Sequence, residues 1–265
     1  MNKLKVKNKF LKLIIIVFSL GILFKFLFIK GTTKKLLVDC NQEQQCESKF
    51  VIVLHGLVRS TAAMDNISQA LNESGYTVCN IQYPSRKYTI EQLAQDFVYP
   101  EIKTCTDGME QPLNFVTHSM GGIIVRQLAQ STDLKINRVV MLSPPNHGSE
   151  LVDKLKVIPI FKFINGAAGL SLGTESNSVP NTLGAVSFST GIIVGNKSFN
   201  PIYSYLIPGK DDGKVAVNSA KVAGMKDFII VPHSHSFIMN SDAVIKQTIN
   251  FLARGKFKSD QQTDS

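Results

Sequence analysis

The chain has 265 residues, of which 44% are hydrophobic and 18% charged, with 18 glycines, a composition too apolar for disorder and too varied for a fibre. Its length suits one globular domain of the alternating α/β type, which reaches roughly 250 residues. The net charge of +9 does not mark a nucleic-acid binder: nine lysines and no acid lie in residues 1–35, and the remaining twenty basic residues balance twenty acidic ones, leaving no basic footprint for a phosphate backbone.

Lys3, Lys5, Lys7, Lys9 and Lys12 precede an uncharged apolar run from Leu13 to Phe24, which is the order of an export signal. Lys25 interrupts the run, and Phe26 to Ile29 extend it to seventeen residues, the low end of what crosses a bilayer. No Ala-x-Ala cleavage site follows, so residues 1–35 are expected to be an uncleaved signal anchor with the lysines in the cytoplasm; a cleaved signal peptide is the alternative. Either places the domain outside the cytoplasm, membrane-anchored in the first case and secreted or periplasmic in the second. Residues 36–48 read as a linker carrying Cys40 and Cys46. Cys79 falls in a strand and Cys105 near a helix end, so two disulfides suit an exported chain, with the pairing open and a buried thiol the alternative for Cys79. No CxxC spacing and no His-rich cluster suggests a metal site.

The body, residues 49–257, alternates strands and helices. Phe50 to Leu54 is an apolar run of strand length. Ser60 to Ser74 repeats Met64, Ile67, Ala70 and Leu71 at helical spacing and closes at Gly75. Tyr76 to Gln82 reads as a second strand. Thr89 to Cys105 is mostly helix, with Pro100 its expected break. Leu113 to His118 is a strand, Met120 to Gln130 a helix and Ile136 to Leu142 a strand. Residues 151–184 carry Val157, Ile158, Ile160, Phe161, Phe163 and Ile164 and then turn Gly-rich, the pattern of a small cap or lid or of a helix packed on the core. Thr190 to Gly195 and Asp227 to Val231 are further strands, Ser241 to Leu252 is an amphipathic helix, and residues 258–265 are a polar tail. The repetition predicts an α/β domain with a mostly parallel central sheet and helices on both faces.

Three motifs fall where chemistry needs them. Thr117-His118-Ser119-Met120-Gly121-Gly122 lies between a strand and a helix and matches the nucleophile elbow G-x-S-x-G except for Thr117 at its first position. A hydroxyl on so sharp a turn is lifted out of the sheet, and Ser119 at a helix N-terminus sits where amide dipoles favour negative charge. His55-Gly56-Leu57 follows the first apolar strand, where this topology places one oxyanion donor; the backbone N–H groups of Leu57 and Met120 are the candidates, with His55 shaping the loop. Lys210-Asp211-Asp212-Gly213-Lys214-Val215 offers a carboxylate, and His233-Ser234-His235-Ser236-Phe237 an imidazole. The chain order Ser, Asp, His is the one this topology uses, with Asp211 or Asp212 and His233 or His235 left open by the spacing alone.

With these strings, Val53-Leu54-His55-Gly56-Leu57, Tyr83-Pro84-Ser85-Arg86, Pro144-Pro145-Asn146-His147-Gly148-Ser149-Glu150 and Pro208-Gly209-Lys210-Asp211-Asp212-Gly213-Lys214-Val215, the body resembles bacterial serine hydrolases of the α/β-hydrolase fold. The resemblance is to the lipase and esterase group that includes lipases related to the GPI-inositol deacylase. It implies Asp212 as the acid, directly before the Gly of the Asp-Gly turn, and His235 as the base, in a His-x-Phe-x-Met stretch; Asp211 and His233 are the second choices. It further implies ester hydrolysis through an acyl-enzyme on Ser119, with no metal or organic cofactor. The apolar residues of 151–184 suggest lipid or other hydrophobic esters as substrate. An acyltransferase using the same serine, or a non-catalytic relative that binds a lipid or a partner, are the alternatives. No protein partner can be read from the sequence.

Overall fold

The computed structural model describes residues 34–36 and 50–259. Residues 1–33, which hold most of the expected signal anchor, and Cys40 and Cys46 lie outside the described residues. Among the described residues seven strands form one sheet: β1 (Lys34–Leu36), β2 (Phe50–Leu54), β3 (Thr77–Ile81), β4 (Leu113–His118), β5 (Ile136–Leu142), β6 (Ser189–Gly195) and β7 (Asp227–Val231), in the order β1-β3-β2-β4-β5-β6-β7. All pairings are parallel except that of β1 with β3. β1 is an addition to the expected elements: three residues that straddle the boundary drawn between leader and linker pair by backbone along an edge.

The central strands form because helices cover both of their faces, so an unbroken apolar run can be buried throughout. Phe50–Leu54 is buried at all five positions. Its alternate side chains Val51 and Val53 join Met64, Ile67, Leu71, Val244 and Phe251 in one core, beneath helices Asp65–Glu73 and Asp242–Arg254, which touch each other. Helices Ile90–Gln92 and Met120–Ser131 pack together in a second layer. Each fully buried Leu, Ile or Val contributes roughly 1.5 to 3 kcal/mol. Gly191 of β6 makes room for that packing, since a Cβ there would stand 2.6 Å from the ring of Phe251 and 2.7 Å from that of Phe257.

Pro100 does not break its helix. The segment begins at a capping box, with the Gln92 N–H donating to Thr89 Oγ1 at 3.2 Å and Gln92 Oε1 accepting from the Thr89 N–H at 3.1 Å. A π-helical stretch, Leu93–Val98, then widens the turn so that the Tyr99 N–H reaches the Ala94 carbonyl, five residues back, and Tyr99–Cys105 continues as α-helix. The extra residue per turn absorbs a proline that has no N–H to give. The last residue of this helix, Cys105, is disulfide-bonded to Cys79 in β3, 26 positions away in sequence, so the buried-thiol alternative for Cys79 is set aside.

Residues 151–184 hold more structure than a Gly-rich loop. Glu150–Leu155 and Pro159–Leu170 are helical, the second kinked at Gly166 (φ 63°), and Val179–Thr182 adds one turn. Leu151, Val152, Leu155 and Phe161 pack inward, whereas Val157 and Phe163 are 73% and 70% exposed. Among the described residues no helix is long and apolar enough to cross a membrane.

Candidate active site

The chain leaves β2 toward β3 on one side and leaves β4 toward β5 on the other, although β2 and β4 are neighbours. Diverging connections open a crevice at the carboxyl ends of that pair, the place where open α/β sheets bind ligands. Ser119 stands there, between the last residue of β4 and helix Met120–Ser131.

Ser119 adopts φ 53° and ψ −122°, a conformation that L-residues rarely take and that costs of order 1 to 3 kcal/mol. The elbow is held by the Ser119 N–H donating to the Leu142 carbonyl at 2.8 Å and the Gly122 N–H donating to the Ser119 carbonyl at 3.0 Å. Close approach is what the flanking glycines supply. A Cβ on Gly121 would stand 2.8 Å from the Leu54 carbonyl oxygen, and one on Gly56 would stand 2.9 Å from His118 Nδ1. Thr117, in place of the motif's first glycine, lies beside Gly122, where an added Cβ would make an ordinary contact of 3.4 Å with Thr117 Oγ1.

His235 bridges the other two groups. Its Nε2 lies 3.0 Å from Ser119 Oγ and its Nδ1 2.8 Å from Asp212 Oδ2, and both His235 and Asp212 are buried. The His235 N–H also donates to the Asp212 carbonyl at 2.9 Å. Burial by itself pushes the Asp212 carboxyl up, but His235, the Ser143 hydroxyl and the Val215 N–H outweigh it and hold the carboxyl below its ordinary range. Asp212 Oδ1 accepts from the N–H groups of Lys214 at 3.0 Å and Val215 at 2.9 Å. A carboxylate so supplied with donors stays ionised and fixes a proton on the facing Nδ1, leaving Nε2 free to accept from the serine.

The second choices are elsewhere engaged. Asp211 Oδ1 accepts from Ser204 Oγ at 2.9 Å and from the Gly213 N–H at 2.7 Å, which makes it the brace of its own turn. His233 Nε2 lies 2.9 Å from Ser241 Oγ, the residue that caps helix Asp242–Arg254.

Gly56, just before Leu57, approaches Ser119 so closely that a Cβ on it would stand 3.1 Å from Ser119 Cβ, and Met120 follows Ser119 in the chain. Met120 opens its helix, so its N–H has no acceptor within that helix. The turn after Leu57 is strained, with β-branched Val58 at φ 57°; its N–H donates to Ser85 Oγ at 3.1 Å. Behind it, His55 stacks on Tyr83 at 4.1 Å, places Nδ1 2.8 Å from the Gly56 carbonyl, and accepts the Tyr83 hydroxyl at its own carbonyl. Burial lowers its pKa to about 4, against a smaller opposing effect of the Gly56 carbonyl, so His55 is a neutral structural histidine. Next to Ser85 in the chain, Arg86 donates from Nη2 to the Phe163 carbonyl at 2.8 Å, tying helix Pro159–Leu170 to the loop that supports Val58.

Three contributors carried no sequence signal of their own. His118 is buried, and its Nε2 lies 2.9 Å from the His235 carbonyl oxygen; burial first, then the charge of His235, push its pKa well below the ordinary value, so a neutral Nε2–H donates to that carbonyl. Ser143, at the end of β5 with φ 49°, accepts the Gly195 N–H at Oγ, 3.3 Å away, beside Asp212. Arg126, buried on the elbow helix, donates to the carbonyls of Asn146, Pro180 and Gly184 and so fastens residues 180–184 to that helix. Among the described residues no group of three or more His, Cys, Asp or Glu could hold a metal ion.

No family model and no curated protein matches the chain. Solved structures match its architecture. The mature lipase BlEst2 of Bacillus licheniformis aligns with a TM-score of 0.63 over 81% of this chain and 96% of that one, at 18% identity. A thermophilic esterase of Thermogutta terrifontis gives 0.56 over 78% and 90%, at 13% identity. Phospholipase PlaB of Legionella pneumophila gives 0.53 over 65% of this chain, at 21% identity, and only 45% of that protein is spanned. At such identities the likeness establishes the fold: this is an α/β-hydrolase fold, and its structural neighbours are lipases and esterases.

Proposed function

We propose that the chain is a serine-dependent carboxylic-ester hydrolase, with Ser119 as nucleophile, His235 as general base and acid, Asp212 as the carboxylate that orients it, and the Leu57 and Met120 N–H groups as oxyanion donors. The observation that carries this reading is the single imidazole within hydrogen-bond reach of both the Ser119 hydroxyl, at 3.0 Å, and the Asp212 carboxylate, at 2.8 Å. Ser119 Oγ attacks the ester carbonyl as its proton passes to His235 Nε2. The imidazolium then protonates the departing alcohol, leaving an acyl group on Ser119. Water, deprotonated by the same nitrogen, attacks that acyl group and releases the acid.

Hydrophobic esters, lipids among them, are the substrate class we infer. Supporting this are the exposed Val157 and Phe163 on the cap and the contact of Leu57 with the cap helix, where a Cβ on Gly169 would meet Leu57 Cδ2 at 2.6 Å. The finer kinship with lipases related to the GPI-inositol deacylase rests on the shared motif strings. Export, with residues 1–35 as signal anchor, is part of the same reading; it is supported by the basic, apolar order of that segment and by the Cys79–Cys105 disulfide, a bond at home in oxidising compartments.

The test is turnover of short- and long-chain p-nitrophenyl esters by the full chain beside Ser119→Ala, with labelling by a fluorophosphonate probe. The variant should lose at least about a thousandfold in kcat, as removal of a member of such a relay does, and should not be labelled. Equal, negligible turnover by both proteins would refute the reading.

A further inference from the structure

The balance of charge over the body hides a local excess. From Asn196 to Lys226 the chain carries five lysines, and its two acids, Asp211 and Asp212, are both buried. Lys197 and Lys210 are exposed, and neither forms an ion pair among the described residues. The same segment exposes two large rings: Phe199 is 81% exposed and Tyr205 85%.

These residues belong to one rim. Phe199 meets Phe237 edge to face, with ring centres 6.4 Å apart, and Phe237 is itself 58% exposed. Phe237 lies two residues beyond His235, so the ring pair borders the candidate site. The Lys197 N–H donates to the His233 carbonyl at 3.2 Å, Ser204 Oγ donates to Asp211, and a Cβ on Gly213 would touch Ser198 Oγ at 2.9 Å. Loop 196–200, helix Pro201–Leu206, turn 210–214 and loop 232–237 are therefore knitted together at the carboxyl ends of β6 and β7, on the edge of the sheet where Ser119 stands.

Exposed rings interleaved with unpaired lysines are the chemistry of the lipid headgroup region: rings enter the apolar boundary while ammonium groups stay with anionic phosphates. A soluble acidic partner would account for the lysines and leave the rings uncovered. We propose that this rim, formed by Lys197, Phe199, Tyr205, Lys210 and Phe237, is a docking surface for an anionic lipid bilayer, which it sets against the mouth of the Ser119 site. Docking needs no chemistry at Ser119, so it stands or falls separately from the hydrolase reading.

The chain contains no tryptophan, so Phe199→Trp in the full chain is a sole reporter of this face, whatever affinity the leader has for membranes. The measurement is indole emission with vesicles of phosphatidylcholine alone or mixed with phosphatidylglycerol, the acyl chains brominated in a parallel set. With mixed vesicles the emission should shift to the blue and be quenched by bromine, and half-saturation should require at least about tenfold more of the neutral lipid. Met109→Trp reports on a residue 48% exposed just before β4, at the opposite end of the sheet, and should show neither change. Adding Lys197→Glu and Lys210→Glu to Phe199→Trp should weaken the response about tenfold or more, and Ser119→Ala should leave it unchanged. The proposal is overturned by unshifted emission with both vesicles, by equal responses to neutral and anionic lipid, or by emission already blue before lipid is added, which would mean that the chain or a second copy covers this face.

Discussion

Ser143 is the residue whose role departs most from its appearance. In sequence it is a small polar residue between an apolar strand and two prolines; in the fold it joins two strands' ends to the candidate acid. Its backbone N–H donates to the Ile193 carbonyl at 2.8 Å, and its hydroxyl is one of the groups that hold the Asp212 carboxyl low. A hydrogen bond to a charged acceptor contributes about 1.5 to 3 kcal/mol, so Ser143→Ala should lower kcat on a soluble ester roughly 10-fold to 100-fold. The acid limb of the kcat profile should move up in pH while KM stays near its original value; an unmoved limb would reduce Ser143 to packing. His118 acts in a comparable way on the other side of His235. Neither residue was legible, because each acts through a backbone carbonyl or a buried carboxylate that sequence separation conceals. Ser119 was singled out by its elbow motif, and Asp212 and His235 were preferred to Asp211 and His233 only through the family resemblance, because chain order belongs to the topology and not to the reaction; the geometry gathers Ser119, Asp212 and His235 and leaves Asp211 and His233 in structural posts.

At the scale of elements, legibility follows burial. β2 and β4 to β6 appear as apolar runs because helices cover both faces of the sheet. β1 lacks that signature, since an edge strand of three residues is specified by backbone pairing with β3 and by little else. Pro100 misled for a local reason: a helix that widens to a π-turn accepts a proline, and nothing in the composition of Leu93–Val98 announces the widening. The same helix shows how elements are secured to one another. Its end is tied to the middle of β3 by Cys79–Cys105, closing a loop of 26 positions. Such a closure restrains the unfolded chain by about 3 kcal/mol. Cys79→Ser with Cys105→Ser, followed by urea unfolding, should lower stability by roughly that amount with ester turnover at neutral pH little changed, because neither cysteine approaches the site. A loss of turnover without loss of stability would show that the bond positions β3 and the Tyr83 loop that follows it.

For the whole molecule the argument turns on protons that folding refuses. His55, behind the Leu57 turn, and His118, beside the elbow, are both buried and both held neutral. Burial holds the His55 pKa down to about 4, whereas an ordinary imidazole takes up its proton near 6.5. Between those limits the unfolded chain takes up a proton that the native one excludes, so stability is full above about pH 6.5 and falls as the pH drops toward 4. A displacement of that size corresponds to about 3 kcal/mol at 1.36 kcal/mol per unit, a large share of what a single domain has in reserve. His118 adds in the same direction. Asp212, with its lowered carboxyl, extends the loss below its unfolded value as the pH falls through its folded one. Urea unfolding at intervals from pH 7.5 to 4.5 should therefore show stability declining steeply below about 6.5. His55→Gln should be less stable at neutral pH but decline less steeply, because glutamine has no proton to gain. Parallel slopes for the two proteins would mean that the acid sensitivity resides at other groups. The two imidazoles that shape the site from beneath would thereby set the acid limit of the entire fold.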